Sequence, residues 1–153
     1  MDLGDIRIAL EDGEGALNIK NSDLEIDLGL ETAIILSLFS DQRAEKDSIP
    51  PDGSRDLRGW WGDVTQEDAI GSKLWLLFRE KVTSNTREKF KAAASASLQW
   101  MLDDGVASSI DVTIASLSEE SIDFIVKVTK PALGNSINFR YYYNWQAQIF
   151  ERV

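Results

Sequence analysis

Three runs of strict alternation fill the last third of the chain, and they constrain its fold more than any other feature. Ile110, Val112 and Ile114 alternate with Asp111, Thr113 and Ala115. Ile122, Phe124, Val126 and Val128 alternate with Ser121, Asp123, Ile125 and Lys127. Ile137, Phe139, Tyr141, Tyr143 and Trp145 alternate with Asn138, Arg140, Tyr142 and Asn144. A period of two places alternate side chains on opposite faces of a strand. Ser118-Glu119-Glu120 and the segment from Pro131 to Asn135 supply the turns. Connections this short join antiparallel neighbours, so the expectation is a three-stranded meander with one face on a core.

The layer beneath that face comes from the middle of the chain. From Leu30 to about Ala44 apolar residues lie almost all the way round a helix, the pattern of one buried by its own fold or by a partner. Gly71-Ser72 opens a second apolar run, Leu74-Trp75-Leu76-Leu77-Phe78, for which Ser72 is the expected N-cap of a helix to about Val82. A third helix is expected from near Asn85, with Glu88 three residues on as a capping box. Phe90, Ala94, Ser97, Leu98, Met101 and Leu102 form its stripe, and Gly105 ends it as the residue after the C-cap. Ahead of these, Ile6, Ile8 and Leu10, then Leu17 and Ile19, then Leu24, Ile26 and Leu28 read as two or three short strands around a Glu11–Gly15 turn. The fold class is α+β, with short N-terminal strands, three helices and a C-terminal three-stranded meander. At 153 residues, 1–153 makes one domain.

Between the first two helices lies a long loop containing Pro50-Pro51 and Gly53, which delivers the chain to Arg58-Gly59-Trp60-Trp61-Gly62-Asp63. Adjacent tryptophans between glycines leave much apolar area in water unless something covers them. Two readings follow: both indoles plug the core, or Arg58, Trp60, Trp61 and Asp63 anchor another subunit, since aromatic and Arg side chains carry most interface energy.

Composition then excludes whole classes of function. There is no cysteine and no histidine, which removes disulfides, thiolate zinc sites, cysteine nucleophiles, the Ser-His-Asp triad and the ordinary catalytic zinc site. A net charge of −10 argues against nucleic acid and against anionic membrane surfaces as partners. The N-terminus is acidic where a signal peptide is basic, and the apolar run Ala33–Leu36 is far short of a membrane span, so a soluble, cytosolically made protein is expected. Nine acids in residues 1–31 against Arg7 and Lys20 read as a solvated face, ahead of docking to a basic partner.

No phosphate-binding loop, dinucleotide fingerprint or hydrolase motif is present. Asp103-Asp104, Glu67-Asp68 and Glu119-Glu120 are adjacent acids, whereas a glycosidase pair must flank a sugar bond at about 5–10 Å. A carboxylate-dependent hydrolase is therefore the lesser alternative, and no catalytic residue, metal or cofactor is assigned. Asp103 and Asp104 stand in the last turn of a helix, where the dipole disfavours carboxylates. A cation from this chain or a partner is the expected compensation. The Tyr141-Tyr142-Tyr143-Asn144-Trp145 stretch lacks the usual blocks of an edge strand. Either an N-terminal strand (Asp5–Leu10 or Leu24–Leu28) covers it, or a partner's extended arm pairs with it, making Tyr141, Tyr142 and Tyr143 partner-binding.

Several stretches together carry a family resemblance. Asp27–Ala33, Leu38–Ala44, Arg58–Asp63, Gly71–Leu77 and Trp100–Val106 resemble, in order and spacing, the Mu-type phage baseplate protein family. The likeness runs from about Asp2 to Val128, and the last strand is generic. It implies a non-enzymatic wedge component of a contractile tail, similar in role to sheath-initiator proteins and assembled with six-fold symmetry in the host cytoplasm into the virion tail baseplate. The implied partners are larger wedge proteins, the tail sheath, and tube or hub proteins. Its helices would join a core bundle and its β region would receive the first sheath ring.

Overall fold

The computed structural model describes residues 5–11, 14–24, 26–27, 30–65, 69–77, 80–132, 134–144, 147 and 149–153. Asp12-Gly13, Leu28-Gly29, Glu67-Asp68, Phe78, Leu133 and Trp145, all invoked above, lie outside them.

The N-terminal region is a run of short antiparallel ladders: β1 (Asp5–Ile6), β2 (Ile8–Glu11), β3 (Glu14–Leu17), β4 (Ile19–Lys20), β5 (Asp23–Leu24) and β6 (Ile26–Asp27). β1 pairs with β6, β2 with β3 and β4 with β5, so the segment is more finely divided than two or three strands. Asn21 and Ser22 both take positive φ, +54° and +65°, which matches the twist of a two-residue hairpin turn between β4 and β5.

Helix α1 runs from Glu31 to Phe39 and buries Ile34, Ile35 and Leu38. It stops five residues before the expected end because the chain is captured there. Ser72 N–H donates to Ser40 O at 2.9 Å, Gln42 N–H to Ser72 O at 3.0 Å, and Ala44 N–H to Leu57 O at 2.9 Å. Glu31, in the first turn where a carboxylate suits the dipole, receives Arg152 at 2.9 Å and lies 4.0 Å from Arg7. The Thr32 hydroxyl accepts Ile8 N–H at 3.0 Å, fixing β2 to the helix.

Two helices form, not three. The Leu74–Leu77 run is a single 3-10 turn, with Leu74 and Trp75 buried. Ser72 does take the Leu74 N–H at 3.3 Å, but its own hydroxyl donates to Leu38 O at 2.6 Å, which holds the segment across α1. Tertiary anchoring outweighs helical propensity over so short a run. Helix α2 spans Ser84–Asp103. Its cap is Thr83 rather than Asn85, and Thr86 replaces Glu88 as the reciprocal partner, its hydroxyl accepting Thr83 N–H at 3.0 Å. Phe90, Ala94, Leu98 and Met101 are buried as the stripe required. Gly105 follows the C-cap at φ +71°.

The sheet has four strands, not three: β7 (Ser109–Leu117), β8 (Ser121–Thr129), β9 (Ser136–Asn144) and β10 (Ile149–Arg152), in the order β10-β9-β8-β7. On β7, β8 and β9 the inward set through Tyr143 is the one the alternation marks, and β10, which it did not mark, adds Phe150. Val112, Val126 and Phe139 lie abreast, as do Phe124 and Tyr141, and Ile122, Tyr143 and Phe150. Phe39 of α1 meets Tyr141 edge-on at 5.2 Å, and Phe90 of α2 meets Phe124 at 5.0 Å. These contacts join both helices to the centre of the sheet.

On the outer face Arg140 grips Asp123 with two donors, Nε to Oδ1 at 2.9 Å and Nη2 to Oδ2. The guanidinium holds the Asp123 carboxyl below the usual carboxylate range. A depressed folded-state pKa contributes stability above the unfolded value near 4, and loses it as pH falls through the folded value. Arg140→Gln is therefore expected to lower the Tm slightly at neutral pH, and the difference from wild type should shrink as pH drops below about 4. Parallel melts of the two proteins from pH 7 to pH 2 check this.

Candidate protein–protein interface

The Arg58–Asp63 turn divides its side chains between inside and outside. Arg58, at φ +53°, sends its guanidinium inward. Nη1 pairs with Asp41 Oδ2 at 2.7 Å, and the cation stacks 4.5 Å above the ring of Trp75. Trp75 is 1% exposed and donates its Nε1–H to Gln42 O at 2.8 Å. A guanidinium over a buried indole with a carboxylate beside it makes a stable base for the turn.

Gly59 lies against that base. Its φ is +100°, and a Cβ there would stand 2.7 Å from Arg43 Cβ. At Gly62 an added Cβ would fall 2.2 Å from the Trp60 ring. The two glycines are thus needed by the close approach of Arg43 on one side and of an indole on the other. Asp63 accepts Ile70 N–H at 3.2 Å through Oδ1, while Oδ2 is buried without a hydrogen-bond partner among the described residues.

The tryptophans are what the turn displays. Trp60 is 40% exposed and Trp61 83%, with ring centroids 5.2 Å apart. The core-plug reading is thereby overturned, because the buried indole of this region is Trp75. Of the four residues proposed as anchors, Arg58 and Asp63 build the turn and Trp60 and Trp61 face solvent. Val64, in the 3-10 turn Trp61–Thr65, extends the apolar surface.

The other expected site residues are distributed differently. Tyr141 and Tyr143 are buried in the core, and only Tyr142 lies on the outer face of the sheet. β10 pairs with Tyr141–Asn144, so the Tyr stretch is an inner strand and not an open edge. The cover comes from neither N-terminal segment but from the chain's own last residues, whose short strand was not distinguishable by alternation. Pairing with a partner's arm at that place is ruled out by the same contact.

Asp103 and Asp104 are exposed at the C-terminal end of α2, with no basic residue in the last turn. Gln99 donates to Asp103 Oδ1 at 3.0 Å, a neutral partner in place of the expected cation. Asp103→Asn/Asp104→Asn is accordingly expected to stabilise the isolated chain by about 0.3–1 kcal/mol, through relief at the negative end of the dipole. A denaturant titration measures it, and a loss of stability would mean that the carboxylates serve an internal contact.

Sequence reading passed over Leu36, Ile70 and Trp100, which are exposed on the side where β1–β3, α1 and α2 meet. The signal available was weak: Leu36 sits on a helix apolar all round, and Trp100 falls off the buried stripe of α2. Among the described residues no group of three or more acidic side chains is arranged to hold a metal ion, and no helix is long and apolar enough to cross a membrane.

Comparison with known proteins gives these surfaces a context. The family described as Phage protein GP46 matches residues 30–135. Baseplate protein gp46 of Escherichia phage Mu is 38% identical over 127 residues, covering 83% of this chain and 88% of that protein. The Mu-like prophage FluMu protein gp46 of Haemophilus influenzae is 39% identical over 121 residues, covering 78% and 82%. No solved structure matches significantly. The matched span takes in α1, the displayed tryptophans, α2 and the strands β7 and β8, and the chain belongs to the GP46 family of Mu-type phage baseplate proteins.

Proposed function

We propose that this protein is a structural component of a phage tail baseplate. It acts as a wedge protein of a contractile tail that joins larger wedge proteins and starts the sheath. The observation that carries the reading is the 38% identity to a baseplate protein over nearly its whole length. The surface is in keeping with an assembly part: Trp61 is 83% exposed on a turn that Arg58, Gly59 and Gly62 hold rigid. Rigid aromatic anchors of this kind supply much of the energy of protein–protein contacts. Six copies around the tube, and contacts to sheath, tube or hub proteins, belong to the same proposal.

The test uses particles made with an epitope-tagged chain and particles made without the chain. Immuno-electron microscopy of the first is expected to label the tail baseplate. In the second, wedge complexes should lack this subunit and no sheath should polymerise on the tube. Label along the tail shaft or on the capsid would overturn the location. Normal sheath on particles lacking the chain would overturn sheath initiation alone. A peptidoglycan-release assay on purified protein addresses the alternative of a tail-associated, carboxylate-dependent cell-wall hydrolase, and release above background would support it.

A further inference from the structure

Five large apolar side chains, Ile6, Leu17, Leu36, Ile70 and Trp100, are each between 38% and 57% exposed, and all five line one groove of about 810 Å³. Exposed apolar surface gathered in this way marks a contact site more than scattered residues do. The groove is distinct from the Trp60–Trp61 turn, neither of whose indoles lines it.

The shape of the lining points to the form of the occupant. Ala33 and Ser37, one turn apart on α1, and Ser97, one turn before Trp100 on α2, are small residues that allow a backbone to come close. The indole Nε1–H of Trp100 donates to Ser37 Oγ at 3.0 Å, which locks the two helices side by side beneath the opening. The hydroxyls within the groove are already engaged. The Ser37 hydroxyl donates to Ala33 O at 2.8 Å, the Ser97 hydroxyl to Ala94 O at 2.8 Å, and Thr32 accepts Ile8 N–H. Such a lining offers apolar contact and few free donors for a small polar ligand. Small residues on two packed helices, flanked by large ones, suit a third helix laid in the slot.

Charge identifies which helix. Asp104 is the one charged residue among the groove's described lining, Asp103 is next to it, and the carbonyl end of α2 adds its negative pole at the same place. A second copy of this chain would bring another −10 to the contact. We infer that the groove receives an amphipathic helix of another protein, apolar on one face and carrying Lys or Arg where it passes Asp103 and Asp104. The inference rests on the baseplate reading above, and names the kind of partner segment one surface takes.

The chain's lack of cysteine makes a direct test available. Leu36→Cys, 44% exposed and so placed without disturbing the core, is charged with a cysteine-reactive photo-crosslinker in the full-length protein. The labelled protein is then assembled into particles, and the crosslinked peptide is sequenced by mass spectrometry. The expected product is one segment with apolar residues at three- and four-residue spacing and at least two Lys or Arg. Leu36→Glu should cut incorporation into particles at least tenfold, because a carboxylate would be buried among apolar groups. Asp103→Asn/Asp104→Asn should cut the crosslink yield about threefold at low salt and less at high salt.

A crosslink to another copy of this chain overturns the inference. So does one to an acidic or strand-patterned segment, or none in particles that contain the protein. Absence of the protein from baseplates altogether would instead sink the baseplate reading, so the two failures are distinguishable.

Discussion

Trp60→Ala/Trp61→Ala is expected to leave a folded, soluble chain that no longer enters baseplates, whereas Trp75→Ala is expected to unfold it. The contrast follows from where three indoles of one stretch are placed. Trp61 is 83% exposed and makes its ring contact with Trp60, so deleting it removes little that folding buries. A surface substitution of this kind is usually within about 0.5 kcal/mol of neutral. Trp60 adds a modest cost, since its ring covers Gly62. Trp75 is fully buried, donates to Gln42 O, and supports the guanidinium of Arg58, which in turn holds Asp41. Removing it costs about 3–5 kcal/mol in cavity and transfer terms, a large part of the 5–15 kcal/mol typical of a domain. Melting curves of the purified variants, read beside their yield in assembled particles, measure both effects. Normal assembly of the double variant would remove the tryptophan pair from the interface, and a double variant that fails to fold would restore the core-plug reading.

What was legible in the sequence depended on how many residues repeated a period. The inward set of β7, β8 and β9 was readable residue by residue, because nine-residue strands give four or five alternations, and each of the three has nine. The stripe of α2 was readable for the same reason over twenty residues. Short elements were not. The Leu74–Leu77 run is apolar enough for a helix or a plug, and what decided its form was a bridge from Ser72 to Leu38 and Ser40, thirty-odd positions away in sequence. The cap of α2 moved to Thr83 because two threonines three apart can exchange bonds as Asn and Glu can, and only the backbone angle chooses between them. In the Arg58–Asp63 turn, residue type identified the site as unusual. It could not say that Arg58 and Asp63 turn inward while the tryptophans turn out, since that is set by Asp41, Trp75 and Ile70.

Tyr142→Pro is expected to disrupt the isolated protein, the opposite of what an open edge at this strand would give. Tyr142 stands opposite Asp123 of β8 and opposite Glu151 of β10, so the strand is paired on both sides at this position. A proline there removes the single N–H that one of the two ladders uses, and its ring crowds the neighbouring strand. Prolines in inner strands are rare for this reason, and a loss of about 3 kcal/mol or more is expected, comparable to a proline placed within a helix. The damage would spread because Tyr141 and Tyr143, on either side, fill the core against Phe39, Phe124 and Phe150. Tyr142→Ala separates backbone from side chain: it keeps the N–H, removes a half-buried ring from the outer face, and should cost about 1 kcal/mol. Circular dichroism melts of both variants, with amide hydrogen exchange across Ser136–Asn144, give the reading. Exchange that stays slow in Tyr142→Pro, with an unchanged Tm, would mean that β10 does not pair with β9 in solution, and the strand would again be an open edge where a partner's arm could add.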